Sequence, residues 1–219
     1  MLEYLNRRRN GGLVQLLAWL VAGLLLAASA SAYSAPKTVL VLGDSLSAEY
    51  GLNRGSGWVA LLEHKLQEEK IDATIVNASI SGETTSGGMT RLPALLAQYK
   101  PQFVVIELGA NDGLRGLPVS AAQANLRGMI AATQKAQARV LLIGIKMPPN
   151  YGRSYTDRFY AMYPALAKEL KVPLVPFMLE GVAEKPELFQ ADRLHPTASA
   201  HPTILANIWP QFLALIKLR

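Results

Sequence analysis

The strongest constraint on the fold is a regular alternation of short apolar segments with longer amphipathic ones, which begins after Pro36. The apolar segments stop at glycine or at polar turns, as buried strands do, and the amphipathic segments repeat their apolar residues at helical spacing. This order predicts an α/β domain with a mostly parallel, five-stranded sheet that helices cover on both faces. Strands are predicted at 38–42, 74–78, 103–108, 139–145 and 174–177, and helices at 58–70, 91–99, 121–137, 158–170 and 202–217.

Polar turns follow the first three predicted strands. They read Gly-Asp-Ser-Leu at 43–46, Ser-Gly-Glu at 81–83 and Gly-Ala-Asn-Asp at 109–112. Ligands of parallel sheets bind beyond the carboxyl ends of the strands, where the loops cluster. We therefore expect these three turns to lie along one edge of the sheet and to form one site.

The first 32 residues have the pattern of an export signal. Three arginines at 7–9 precede an almost continuously apolar run at 13–28, and Ala-Ser-Ala at 30–32 suits a signal peptidase. We predict a signal peptide at 1–32, cleavage after Ala32, and a periplasmic or secreted protein. The alternative is a retained anchor, because 13–32 is 20 residues long, about enough to span a bilayer.

Residues 33–219 are predicted to form a single domain, since 187 residues can bury a substantial core. The whole sequence has 22 basic and 16 acidic residues, of which the leader holds three arginines and one glutamate, so residues 33–219 carry a net charge of +4. The basic residues of 33–219 do not form a run. This balance gives nucleic-acid binding no specific support. With no cysteine and only three histidines, we expect no disulfide, no metal and no cofactor.

Ser45 is the candidate nucleophile, because it follows a buried strand directly. A hydroxyl becomes a useful nucleophile only when a base takes its proton, so a histidine must reach it. The alternative is a structural serine that caps the start of a helix. The two interpretations are compatible, since backbone N–H groups near a helix start also favour a nucleophile.

His195 is the candidate base among the three histidines. His64 lies in the middle of a predicted helix between two charged residues, which indicates a surface position. His201 has an alanine three residues before it, whereas His195 has Asp192 at that spacing. A carboxylate about one turn away can orient an imidazole and stabilise its charged form. The alternative is a surface Asp/His pair beside a proline turn.

Acyl transfer also needs hydrogen-bond donors at the oxygen that becomes negative. Ser45 and Gly82 can each offer a backbone N–H, and Asn111 can offer its side-chain amide. Taken singly, Ser-Gly and Asn-Asp-Gly are ordinary turn sequences. Their joint position after successive strands favours an oxyanion hole.

These residues resemble the four blocks of the SGNH (GDSL) hydrolases: Ser45 in Gly-Asp-Ser-Leu, Gly82, Asn111 in Gly-Ala-Asn-Asp, and His195 in Asp-x-x-His. The stretches 77–82, 91–96 and 107–116 are similar to a bacterial periplasmic branch described as thioesterase, arylesterase and lysophospholipase. The resemblance implies a flavodoxin-like, three-layer α/β/α fold and a Ser45–His195–Asp192 triad. It also implies an oxyanion hole from the Ser45 and Gly82 N–H groups and the Asn111 amide.

The same resemblance implies an acyl pocket beside the loop 146–154. Substrate contacts are expected from Asp44, Leu46, Leu114, Pro149 and Tyr151. Two departures from the family pattern stand out: Glu49 occupies a position where glycine is common, and Arg193-Leu194 replaces Gly-Ile in the last block. Neither departure removes a predicted catalytic group, but Arg193 leaves the head-group preference open.

The predicted activity is serine-dependent hydrolysis of small acyl esters and thioesters by a monomer. The pattern Gly-x-Ser-x-Gly is absent at Ser45, so an α/β-hydrolase elbow is not supported. Two alternatives remain: a carbohydrate O-deacetylase with the same four blocks, and a non-catalytic binding protein that keeps the fold. The residues leave the acyl-chain length and the choice between thioester and oxyester open.

Overall fold

The computed structural model describes residues 36–217, which contain a five-stranded, all-parallel sheet. The leader predicted at 1–32 and its cleavage site lie outside these residues. The strands stand in the order β2-β1-β3-β4-β5. They are β1 (Lys37–Gly43), β2 (Ala73–Asn77), β3 (Phe103–Glu107), β4 (Arg139–Ile143) and β5 (Leu174–Val175).

Within residues 36–217, six α-helices connect or follow the strands. Helices α2, α4 and α5 pack against one another in sequence, and α1 packs against α6, so the sheet lies between two helical layers. The predicted three-layer α/β/α fold is confirmed. The helices are α1 (Trp58–Glu68), α2 (Thr85–Tyr99), α3 (Ala110–Leu114), α4 (Val119–Lys135), α5 (Arg153–Leu170) and α6 (His201–Lys217).

The strand order places a topological switch point at the centre of the sheet. From β1 the chain first adds β2 on one side and then returns to add β3 on the other. In doubly wound sheets the crevice at such a point binds ligands, because the loops leaving the two central strands diverge there. The turns after β1 and β3, which carry Ser45 and Asn111, flank this crevice.

The core supports the site because the central strands are buried on both faces. All five residues of β3 are buried, and so are the last five of β1. The largest fully buried side chains belong to the covering helices on either face: Trp58, Phe159, Tyr163 and Phe212. No helix within 36–217 is long and apolar enough to cross a membrane.

Two helix predictions were wrong at their start, and one short helix was missed. Helix α2 begins at Thr85 instead of 91, because the Thr84 hydroxyl accepts a hydrogen bond from the Gly87 N–H and so caps the helix. Helix α5 begins at Arg153 instead of 158. The short helix α3 was not predicted, since its five residues were interpreted as a polar turn.

Candidate active site

Ser45 lies in the turn that immediately follows β1, at the switch point of the sheet. The Asp44 carbonyl accepts hydrogen bonds from the Ser47 and Ala48 N–H groups at 3.2 and 3.0 Å, which closes the turn. The Asp44 carboxylate accepts a bond from the Leu46 N–H at 3.0 Å. Ser45 itself is half-buried, so its hydroxyl faces the crevice on a turn that its neighbours fix.

Gly43 is required by close packing beneath this turn. A Cβ atom at position 43 would come within 2.7 Å of the Ser47 hydroxyl and 2.8 Å of a Glu107 carboxylate oxygen. The Ser47 hydroxyl donates to that same Glu107 oxygen at 2.6 Å. The turn that carries Ser45 therefore packs directly against Glu107 at the end of β3.

His195 connects Ser45 with Asp192. Its Nε2 lies 2.9 Å from the Ser45 Oγ, and its Nδ1 lies 2.6 Å from Asp192 Oδ2. The Tyr50 ring lies against the imidazole, with the ring centroids 4.3 Å apart. The geometry thus brings together three residues, two of them separated by 150 positions in the chain.

Asp192 is held in its orientation by its own turn. Its Oδ1 accepts hydrogen bonds from the Leu194 N–H at 2.9 Å and the His195 N–H at 3.0 Å. Partial burial acts to raise the pKa of Asp192, but these two bonds and the His195 side chain outweigh it and lower the pKa to about 2. Asp192 is therefore ionised at neutral pH.

The other two histidines have different surroundings. His64 is exposed on α1, as predicted. His201 is buried, and its Nδ1 accepts a hydrogen bond from the Trp58 N–H at 2.9 Å, at the start of α1. Burial lowers the pKa of His201, against the opposing charge of Glu49, so the neutral form is favoured. His201 thus ties α6 to α1 and lies apart from Ser45.

Gly82 lies in the turn after β2, and Asn111 lies in the short helix α3 after β3. Among the hydrogen bonds within 36–217, the N–H groups of Ser45 and Gly82 have no acceptor, so both remain available. The Asn111 amide donates to Asp44 Oδ2 at 3.2 Å and to the Glu83 carbonyl at 3.0 Å. Gly82 has a φ of +79°, a conformation that glycine adopts without steric cost.

A hydrogen-bonded cluster that was not predicted from the sequence joins the segments that carry Gly82 and Asn111. Asp112 accepts hydrogen bonds from the Thr85 N–H at 2.8 Å and the Thr85 hydroxyl at 2.6 Å. The Asn125 amide donates to the same hydroxyl at 3.0 Å, and Arg115 donates to the Gly82 carbonyl at 3.0 Å. The segment 111–115 therefore sets the position of the Gly82 turn.

Asp44 and Glu107 form a buried acidic pair next to Ser45. Burial raises the pKa of Asp44 to about 6, although hydrogen bonds from Leu46 and Asn111 oppose the shift. Burial, and then the charge of Asp44, raises the pKa of Glu107 well above its ordinary value. Within the described residues, Glu107 Oε1 is also buried without a partner, which a neutral carboxyl tolerates better than a carboxylate. The neutral form of Glu107 is therefore favoured.

Glu107→Gln should therefore stabilise the fold increasingly as the pH rises. A carboxyl whose pKa is raised on folding stabilises the native state at low pH, and this contribution is lost as the pH rises through the folded-state pKa. Glutamine stays neutral and can still accept the Ser47 bond. Between pH 5 and 9, the Tm of the variant relative to wild type should rise by about 2–4 °C, equivalent to ~1 kcal/mol.

Thermal unfolding monitored by circular dichroism measures this difference. The matched control is Glu187→Gln, because Glu187 is exposed and should give no pH-dependent change. A constant Tm difference between Glu107→Gln and wild type across the pH range would show that Glu107 is ionised in the native state.

The five predicted substrate contacts fall into two groups. Asp44 and Leu46 are buried, 0% and 8% exposed, and Asp44 contacts the site through the Asn111 amide. Tyr151, in the turn Pro149–Tyr151, is 36% exposed and donates from its hydroxyl to the Leu114 carbonyl at 3.0 Å. This bond connects the turn to α3, the helix that also carries Asn111. Contact of any of the five residues with substrate stays a prediction.

No group of three or more metal-ligating side chains occurs within 36–217. The polar groups that meet at Ser45 are a hydroxyl, an imidazole, a carboxylate and free N–H donors. This set can move a proton from oxygen to nitrogen and can stabilise a negative oxygen.

Comparison with known proteins identifies the family. Residues 41–202 match the model of the GDSL-like lipase/acylhydrolase family. The chain belongs to this family. It is accordingly a hydrolytic enzyme, and the matched segment includes every residue of the site described above.

Two relatives and one solved structure extend this likeness. The chain is 48% identical to the esterase TesA of Pseudomonas aeruginosa, over 91% of this chain and 99% of the relative. It is 45% identical to thioesterase 1/protease 1/lysophospholipase L1 of Escherichia coli K12, over 84% of this chain and 87% of the relative. A crystal structure of TesA superposes with a TM-score of 0.80 at 51% identity, covering 82% of this chain and 99% of that chain.

Proposed function

We propose that this hydrolase cleaves acyl esters and thioesters through a covalent acyl-serine on Ser45. The observation that carries the proposal is the continuous contact from Asp192 through His195 to Ser45, with distances of 2.6 and 2.9 Å. A hydroxyl, an imidazole and an ionised carboxylate in this order form the machinery of serine hydrolases. The named activities of the relatives, esterase and thioesterase, support the substrate class.

The first half of the reaction forms the acyl-enzyme. His195 Nε2 takes the proton of the Ser45 hydroxyl while the oxygen attacks the acyl carbon. Asp192, ionised because its pKa is about 2, stabilises the imidazolium that results. His195 then gives this proton to the departing alcohol or thiol, whose bond to the acyl carbon breaks.

The second half releases the acid. A water molecule takes the place of the leaving group, and His195 removes its proton as the water oxygen attacks the acyl carbon. The bond to Ser45 then breaks, and the serine oxygen recovers the proton from His195. Neither half uses a metal or an organic cofactor.

The oxyanion formed in both halves is proposed to meet three donors. The free N–H groups of Ser45 and Gly82 supply two of them. Asn111 supplies the third by sharing the hydrogen that it directs to Asp44, since that 3.2 Å contact is the longer of its two. Each such donor contributes about 2.7–4 kcal/mol to lowering the barrier.

The proposed setting is the periplasm or the exterior of the cell. The support is the basic start, apolar run and Ala-Ser-Ala pattern of residues 1–32. The mature chain would then begin at Tyr33 and work as a soluble monomer. The mass of the purified mature protein distinguishes a cleaved leader from a retained anchor.

A matched series of acyl esters and thioesters tests the proposal. We expect kcat/KM on residues 33–219 to rise from acetyl to longer acyl chains in both series. Leu114 and Tyr151, joined by a 3.0 Å hydrogen bond, offer apolar side-chain surface that favours longer acyl chains over acetate. Turnover confined to acetyl esters would keep the serine chemistry but indicate a deacetylase. If a fluorophosphonate probe does not label Ser45, the protein would be a non-catalytic binding protein.

A further inference from the structure

Six residues other than glycine have a left-handed backbone within 36–217, a conformation that side chains make unfavourable. Four of them follow the last turn of a helix, where a left-handed residue ordinarily ends the helix. These four are Lys70, Lys100, Gln137 and Lys171. Glu49 and Arg193, with φ values of 59° and 55°, lie away from helix ends and need a different cause.

Glu49 owes its conformation to the hydrogen bonds that its side chain makes. Its carboxylate accepts from the Gly55 N–H at 3.0 and 3.1 Å and from the Gly57 N–H at 2.7 Å. These bonds connect the turn that carries Ser45 to the start of α1. The unfavourable backbone at Glu49 is therefore offset within the fold.

The Arg193 side chain makes no such bonds within 36–217, and the turn around it is closed by the Asp192 carboxylate and by backbone groups. The Arg193 backbone N–H closes a turn onto the Gln190 carbonyl at 2.9 Å, but any residue could make that bond. Both oxygens of the neighbouring Asp192 are occupied by Leu194 and His195. Arg193 is exposed, and no hydrogen bond or ion pair of its guanidinium occurs among the residues that the structure describes. A strained residue without a structural partner points to function.

The place of Arg193 indicates which part of a substrate it would meet. It lies two residues before His195, the group that must protonate the leaving alcohol or thiol in the proposed function. The loop that carries the proton donor necessarily borders the leaving-group side of the site. A second exposed cation, Arg115, follows the end of α3 and donates to the Gly82 carbonyl, and no carboxylate pairs with it among residues 36–217. Both positive charges suit an anion.

We propose that Arg193 is a specificity-determining residue that binds an anionic group on the leaving alcohol or thiol. This inference rests on the proposed function, because it names the leaving-group class of the same site. The guanidinium is suited to a carboxylate or phosphate, since its planar set of donors matches their oxygens. Exposure makes the interaction modest and sensitive to salt.

Two esters that differ in one charge test the proposal. The probes are 4-(hexanoyloxy)benzoate, which releases an anionic phenol, and its methyl ester, which releases a neutral one. Arg193→Gly and Arg193→Asn both remove the charge and both tolerate the left-handed backbone, so neither should lower the Tm. Arg193→Lys keeps the charge and serves as the matched control.

We expect kcat/KM for the anionic ester, relative to the neutral one, to fall about three- to five-fold in the Gly and Asn variants at low salt. The Lys variant should retain most of this preference, and 0.5 M salt should reduce the preference of wild type toward that of the Gly variant. If the ratio of kcat/KM between the anionic and the neutral ester is unchanged in both uncharged variants, the proposal for Arg193 is overturned. Continued turnover of the neutral ester would show that the proposed function itself still stands. An equal loss on both esters would also overturn the proposal for Arg193, because Arg193 would then act only by positioning His195.

Discussion

Ser45→Ala is expected to lower kcat by about 10⁴- to 10⁶-fold on every ester and thioester, because no acyl-enzyme can form without the hydroxyl. The fold should be unchanged, since the Ser45 side chain makes its one hydrogen bond with His195, a residue at the rim of the site. The measurement is kcat and KM on a hexanoyl thioester, with circular dichroism and Tm as checks of folding. KM should change little if the N–H donors still bind the acyl group.

The matched control for this variant is Ser86→Ala. Ser86 is exposed on α2, and its side chain donates no hydrogen bond within the described residues, so its removal should leave activity intact. Turnover of Ser45→Ala within ten-fold of wild type would contradict the acyl-serine mechanism. Because alanine at position 45 keeps the backbone N–H, any residual activity measures what the donors achieve alone.

The sheet was predictable because its strands are buried on both faces. A strand such as β3 has five consecutive buried residues, and a short apolar run that ends at glycine is typical of such a strand. The start of α2 was not predictable from local pattern. Gly87 and Gly88 disfavour a helix, yet Gly88 is needed there, because a Cβ would come within 2.4 Å of the Leu108 side chain. Packing against Leu108 therefore outweighs the low helix propensity of the two glycines.

The site was predictable where its spacing is local. Asp192 and His195 lie one turn apart, so their contact could be inferred from the chain itself. The contact of Ser45 with His195 needed the rule that loops meet at the carboxyl edge of a parallel sheet. The role of these residues in catalysis stays a prediction, which the Ser45 and Asp192 variants test.

The buried polar contacts of Glu107 with Ser47 and Asp44 could not be predicted from the sequence. Glu107 ends an apolar strand, and a glutamate there suggests a residue that emerges into solvent, whereas it is fully buried against Ser47 and Asp44. Asp44 and Leu46, which were predicted to contact substrate, are both buried, and that contact stays a prediction. Which side of a turn faces the crevice depends on packing between elements distant in sequence, and one sequence does not show that.

Asp192→Asn is expected to lower kcat by at least about 10³-fold, although it differs from the native residue by a few atoms. In the native enzyme, Asp192 Oδ1 accepts two backbone N–H groups, from Leu194 and His195. Those donors require an oxygen at that position, so asparagine must place its carbonyl oxygen there. Its NH₂ group then faces His195 Nδ1 in place of Oδ2.

This forced orientation selects the wrong imidazole tautomer. A donor opposite Nδ1 leaves that nitrogen unprotonated, so the proton lies on Nε2, and Nε2 can no longer accept the proton of Ser45. The turn and its geometry survive, which predicts a loss in kcat with little change in KM or Tm. Asp157→Asn is the control, because Asp157 is exposed on α5 with a 3.9 Å contact to Arg153 as its ion pair.

The pH dependence of the wild-type enzyme provides a second test of the same residue. The pKa of Asp192 is lowered to about 2, so its contribution to stability is present above pH 3.8 and is lost only as the pH falls toward 2. Asp192 therefore remains ionised throughout pH 5–9, and the wild-type rate profile in that range should contain no titration of this carboxylate. The Tm of wild type relative to Asp192→Asn should therefore fall as the pH is lowered from about 4 to 2, and a constant difference over that range would show that the pKa of Asp192 is not lowered in the native state.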